Sequence, residues 1–252
     1  MRDCIESIIN QSVKSRVICT TSTPNEHISS ICAEYDIPLL INPVATGSAS
    51  DWNFAYDQAD TPLVTLAHQD DVYEPDFLKH TFGYLSRAKK PLIVFTNYYE
   101  IREGVTAQTN RLLQIKRLMC APWRLRAFWA SRFIGRRIFM LGDPIMCPTV
   151  TYVKENLQGK TIFDKEYKCS LDYLALVEIR DLPGEFVYCP MQLLGHRIHI
   201  ESATSSSIAN NNRSIEDLRI LQMLSPKPIA KLIHSFYVKS QSSNVVRGKT
   251  DA

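Results

Sequence analysis

The stretch ADTPLVTLAHQDDVYEPDFL, residues 59–78, decides how this chain reads. Thr61-Pro62 stops a preceding helical pattern, and Leu63–Ala67 is an apolar run of strand length. His68–Tyr73 is a polar turn, and Pro75 opens a helix. Similar units flank it. Val17–Thr20, Pro38–Ile41 and Pro91–Thr96 read as strands, and helices are expected up to about Tyr35 and over Asp51–Gln58. Trp52, Ala55, Tyr56 and Ala59 form the apolar side of the second helix. Strands separated by helices of this length imply an α/β domain with a central, mostly parallel sheet flanked by helices.

The chain leads with an amphipathic helix carrying Cys4, Ile5, Ile8 and Ile9, where a doubly wound sheet normally begins with a buried strand. That strand is expected to be supplied differently or to precede Met1. Beyond residue 103, helices broken near Pro122 and Gly135 are expected over 104–142, and another over Asp172–Ile179. Phe186–Tyr188 and Gln192–Ile198 read as two short strands. A Ser/Asn-rich loop (201–213), two helical segments split by Pro226 and Pro228, and a polar tail follow. The expected organisation is one domain over 1–204 and a helical extension with its tail over 205–252.

With 252 residues, 45% hydrophobic and 22% charged, the composition excludes general disorder, collagen and a disulfide scaffold. No apolar run is long enough to span a bilayer, and residues 1–12 do not pattern as a signal peptide. Seven scattered cysteines without a C-x-x-C pair fit buried thiols in a reducing cytoplasm. The net charge of +3 conceals an asymmetry: residues 104–142 hold eight Lys and Arg and no acid. Such a block suggests an anionic partner.

Three features could carry chemistry. His68-Gln69-Asp70-Asp71 follows a strand directly, at the end that faces the ligand crevice of an open α/β sheet. Adjacent carboxylates repel, a divalent cation relieves that repulsion, and Mg²⁺ completes its shell with phosphate oxygens. The alternative is a polar turn in which Asp71 caps the next helix. Arg197 and His199 share one face of the strand from Gln192; arginine can fork a phosphate and neutral imidazole can ligate a metal. Asp172 stands at the start of an apolar helix, where it is either an N-cap or a general base for an acceptor hydroxyl.

Three stretches together resemble the family 2 glycosyltransferases of the GT-A fold: residues 59–78, SLDYLALVEI (170–179) and GEFVYCPMQLLGHRIHIESAT (184–204). The first is similar to that family's metal-site segment with its DxD-type motif, here His-Gln-Asp-Asp. The second resembles the segment holding the catalytic aspartate, and the third the strand pair ending in R-x-H and a Ser/Thr element. The resemblance implies an enzyme that uses a nucleotide-sugar donor, Mg²⁺ or Mn²⁺ and an inverting displacement. It places Asp70 at the donor ribose, Asp71 and His199 on the metal, Arg197 at the diphosphate, Asn53 near the donor and Asp172 as base. Thr21-Ser22 stands where the family has an acidic pair that contacts the nucleotide base. The expected acceptor is a saccharide or a lipid-linked sugar in surface polysaccharide synthesis. The alternative is a catalytically silent GT-A-like binding or assembly protein.

APWRLRAFWASRFIGRRIF (121–139) interleaves Arg124, Arg126, Arg132, Arg136 and Arg137 with Trp123, Phe128, Trp129, Phe133 and Phe139. A helix with basic and aromatic faces can lie in an anionic membrane interface, so peripheral contact through 116–139 is one expectation. The other is an ordinary helical subdomain with its aromatics turned inward. Nothing else in the chain resembles a nucleic-acid-binding module, and no nucleic-acid partner is expected.

Overall fold

The computed structural model of the chain describes residues 1–157, 159–198 and 212–241. Two long strands form its centre: β5 over Pro91–Arg102 and β8 over Glu185–Ile198, paired in parallel. Leu92–Phe95 and Phe186–Cys189 are all buried, as expected of strands covered on both faces. The register slips between Thr96 and Tyr98, opposite Cys189–Leu194. Asn97 Nδ2 donates to Pro190 O there, at 2.8 Å. The sequence pattern breaks β8 in two at this bulge, yet the strand is continuous.

Around that pair the sheet is mixed. Its order is β3 (Leu63–Thr65), β7 (Val150–Val153), β5, β8, β4 (Val72–Tyr73), and β6 (Val105–Ala107) forms a hairpin with β5. β3–β7, β5–β7, β4–β8 and β5–β6 are antiparallel, which corrects the mostly parallel sheet expected from the sequence. The cause is β7, which slots between β3 and β5 in the opposite direction. Its four residues, VTYV, are too few for a periodic signal. β1 (Cys19–Thr21) and β2 (Leu39–Ile41) pair in parallel as a separate two-stranded sheet. An Arg16–Asp60 ion pair links the chain just before β1 to the chain just before β3.

Helices cover the sheet: α1 (Arg2–Ile9), α2 (Glu26–Glu34), α3 (Ser48–Gln58), α4 (Phe77–Leu85), α5 (Arg111–Met119), α6 (Arg132–Phe139) and α7 (Leu171–Asp181). Asn25, Asn110 and Ser131 cap α2, α5 and α6 through their side chains. Pro122 does break the helical run, because two 3₁₀ turns replace it between α5 and α6. Gly135 does not. It lies inside α6 because a Cβ there would stand 2.4 Å from Cδ of the buried Arg180. The C-terminal helices α8 (Asn212–Leu224) and α9 (Lys227–Gln241) pack on each other, and Ile220 and Leu221 of α8 are wholly buried. All seven cysteines are free and five are buried. Among the described residues no helix is long and apolar enough to cross a membrane.

Candidate active site

The turn after β3 is shaped by its neighbours on both sides. Asp71 N donates to His68 O, closing the turn, and β4 then pairs Val72 and Tyr73 with Gly195 and Leu194. That pairing sets Asp71 opposite the end of β8. The Asp71 side chain is wholly buried; its Oδ1 meets His196 Nδ1 at 2.8 Å and accepts from Arg197 N at 3.1 Å. Its other oxygen, Oδ2, is buried with no hydrogen-bond partner among the described residues, and so is His68 Nε2. The His68 ring lies against Trp52 of α3 at 4.9 Å. Burial holds the His68 imidazole below its usual pKa, against the opposing pull of Asp71 and Asp70, so it favours the neutral form.

Helix α1 buttresses this turn. Cys4 Sγ contacts His68 O at 3.1 Å, and Ser7 Oγ accepts from Tyr73 N at 3.0 Å. Just beyond α1, Gln11 Nε2 donates to Glu74 O and its Oε1 accepts from Leu78 N.

Asp172 is the second residue of α7 and is half-buried. The residue preceding the helix is Ser170, whose hydroxyl donates to Asp217 Oδ1 at 2.6 Å, so Asp172 is not the N-cap. Glu216 of α8 accepts three backbone N–H groups, from Lys168, Cys169 and Ser170, at 2.8–2.9 Å. Two buried acids of the C-terminal helix therefore fix the entry to α7. Asp172 lies within electrostatic range of His68, about a hundred residues earlier in sequence, and is the weakest of the charged groups acting on it. It also faces Asp143, a buried carboxyl pushed up to about 7, first by burial and then by Asp172.

Other residues expected at the site are placed differently. Asn53 donates through Nδ2 to Phe163 O and accepts through Oδ1 from Phe163 N, so both ends of its amide are committed to the backbone. It lines a cavity of about 630 Å³ with Asp57, Lys154 and Lys160. Ala59–Pro62, which precede β3, line the same cavity, so it lies at the opposite end of that strand from Asp70 and Asp71. In this arrangement the Asn53 amide holds the backbone of Phe163. The Arg197 guanidinium pairs with Asp3 of α1, because strand alternation turns it away from the face that carries His196 to Asp71. Its backbone N–H, rather than its charge, serves the acidic turn. Thr21 ends β1 half-buried; beside it Ser22 Oγ and Asn42 Nδ2 both bond Asp51, at 2.8 Å. Asp51 precedes Trp52, so this end of β1 adjoins His68. Asp70 is half-exposed, and His199 lies outside the described residues.

Sequence reasoning missed His196, Asp143, Glu216 and Asp217. Strand alternation could have nominated His196 on the face opposite Arg197. The acids of α8 gave no local signal for this role, since the groups they hold at the entry to α7 lie more than 45 residues away.

The mixed sheet flanked by helices has counterparts among solved structures. TarS 1–349 of S. aureus matches 96% of this chain with 67% of its own, at 13% identity and a TM-score of 0.63. A mannosyltransferase of Pyrobaculum calidifontis, solved with GDP-Man and Mn²⁺, matches 96% of this chain with 69% of its own, at 12% identity and a TM-score of 0.64. At such low identity these likenesses establish the GT-A fold. The family itself follows from sequence: the profile described as Glycosyl transferase family 2 matches residues 1–152, and the chain belongs to that family. It is a transferase of the nucleotide-sugar-dependent kind. No curated protein sequence matches it. The profile covers Asp70 and Asp71 but ends before Asp172.

Proposed function

We propose that this chain transfers a sugar from a nucleoside-diphosphate donor to a hydroxyl of a saccharide or lipid-linked acceptor in surface polysaccharide synthesis, with inversion and with Asp172 as base. The reading is supported by the family match over residues 1–152, which includes the acidic turn, and by Asp172 lying within electrostatic range of His68 in that turn. A single displacement forms the bond from acceptor oxygen to anomeric carbon as the bond to the diphosphate breaks. The hydroxyl proton goes to Asp172, and the nucleoside diphosphate leaves. A positioned carboxylate contributes about 10²–10⁴-fold by taking that proton.

The residues present fit a divalent cation shared with the donor. Among the described residues no group of three or more His, Cys, Asp or Glu forms a cage of its own. Mg²⁺ and Mn²⁺ do not need one, since one or two carboxylates and diphosphate oxygens suffice. Asp71 Oδ2, buried without a partner, would hold the cation together with the adjacent half-exposed Asp70. The Mn²⁺ bound beside GDP-Man in the Pyrobaculum mannosyltransferase supports this assignment. When bound, the cation offsets the charge that builds on the leaving diphosphate. Asp70 faces the donor ribose, Thr21 stands toward the nucleotide base, and Asp71 keeps the end of β8 in register through His196.

The test pairs binding with turnover. Calorimetry with UDP and GDP is expected to show tight binding in Mn²⁺ and weak binding in EDTA. Asp172→Asn is expected to keep nucleotide binding and melting temperature while sugar transfer falls at least about a hundredfold. Undiminished transfer by Asp172→Asn would refute the base, and equal affinity in EDTA and Mn²⁺ would refute the metal.

A further inference from the structure

The acid-free stretch 104–142 folds as an outer layer made of α5, the two 3₁₀ turns and α6. Its inward side chains meet the β5–β8 sheet. Trp123 lies on Phe95 at 5.4 Å and Phe186 at 5.8 Å, and Phe139 lies on Phe186 at 6.1 Å. Leu113, Trp129 and Ile138 are buried with them. Other side chains of the layer are turned to solvent.

That outer side is both apolar and cationic. Leu118, Leu125 and Phe133 are 73%, 61% and 66% exposed, and Ile115 and Leu141 are also exposed. On α5, Arg111, Ile115 and Leu118 follow helical spacing along one face. Arg136 pairs with the Asp181 carboxylate, while Arg132 and Arg117 donate to backbone carbonyls. Arg137 lies over the Phe133 ring at 4.9 Å. Arg111, Arg124 and Arg126 are exposed, with no carboxylate partner among the described residues. An uncompensated cationic surface with protruding aliphatic side chains is complementary to a bilayer with anionic headgroups. Arginines sit at the phosphates while leucine and phenylalanine tips enter the acyl boundary. Nucleic acid fits less well, because the rings that would stack on bases, Trp123 and Trp129, are turned into the core.

We propose that this outer face, centred on Leu118, Leu125, Phe133, Arg124 and Arg126, docks the enzyme on an anionic lipid membrane. The docking itself does not depend on the catalytic reading.

Sedimentation of the full chain with phosphatidylcholine vesicles, with and without phosphatidylglycerol, tests it. Binding is expected only with phosphatidylglycerol and should weaken in high salt. Arg124→Gln with Arg126→Gln should lower partitioning roughly thirtyfold, the equivalent of about 1 kcal/mol per basic residue near an anionic surface. Leu125→Ser with Phe133→Ser should weaken binding at low salt while circular dichroism and melting temperature stay unchanged. These side chains are exposed, so folding does not depend on them. Binding indifferent to phosphatidylglycerol would overturn the proposal. So would undiminished vesicle binding by the Leu125/Phe133 variant, which would leave a simple anion patch that heparin or RNA fills equally well.

Discussion

Glu216 offers the sharpest test of how the C-terminal helix serves the site. Its carboxylate is buried, and three backbone N–H groups converge on it: Lys168 on Oε1, Cys169 and Ser170 on Oε2. Hydrogen bonds to a charged group contribute about 1.5–3 kcal/mol each, and a buried donor left without a partner costs about 1–3 kcal/mol. In Glu216→Gln the amide oxygen can take the Oε2 position, but the NH₂ group then faces the Lys168 N–H. One bond is lost and the others lose their charge assistance, for about 2–3 kcal/mol. Glu216→Ala frees all three donors and should cost about 3–5 kcal/mol, some of it recovered by water. For a chain of this size 1 kcal/mol moves the melting temperature by about 2–4 °C. The expected losses are therefore roughly 4–12 °C for Gln and more for Ala, read by calorimetry or thermal circular dichroism. Transfer assayed well below the melting point should show kcat falling more than KM, since the entry to α7 carries Asp172 and the donor turn lies on other strands. A melting temperature within about 1 °C of the unmodified chain for Glu216→Ala would refute the clamp. A normal kcat would refute its link to Asp172.

Other expected outcomes follow from single contacts. The Asp143 carboxyl is raised to about 7, so the folded state binds more protons than the unfolded between about pH 4 and 7, and stability should fall as pH rises through that window. Asp143→Asn should flatten that fall in a melting-temperature series; an unchanged slope would assign it elsewhere. Gly135→Ala drives a methyl into the stem of the buried Arg180, which is held by Trp129 O and Gly184 O. It should lower stability by about 1–3 kcal/mol in denaturant titration. Asp71→Asn should lower both metal-dependent nucleotide affinity and melting temperature, because its Oδ1 anchors His196 and Arg197 N. Asp70→Asn, half-exposed, should lower affinity alone.

What the sequence revealed and what it hid divide along the range of the interactions involved. The strand–turn–helix unit at 63–85 was legible because its determinants are local: an apolar run, a polar turn, a proline. Asp70, Asp71 and Asp172 are candidates because short motifs mark them. The direction of β7 was not, since four residues fit a strand of either polarity and only insertion between β3 and β5 decides it. Arg197 and Asn53 show the same limit at the site. Each is a residue type suited to a phosphate or a sugar, yet Asp3 and Phe163, distant in sequence, already engage them. For the tryptophans of the basic block the sequence leaves an outward aromatic face and an inward one both open, and Phe95 and Phe186 draw Trp123 inward. In each case a chemically versatile side chain was taken by a partner that periodicity cannot see. The orphaned Asp71 Oδ2 is the opposite case, a buried acceptor that no distant residue among those described has claimed. Burying a carboxylate oxygen without compensation is costly. That cost is tolerable where a ligand supplies the missing interaction, which is a ground for proposing the turn after β3 as the donor site.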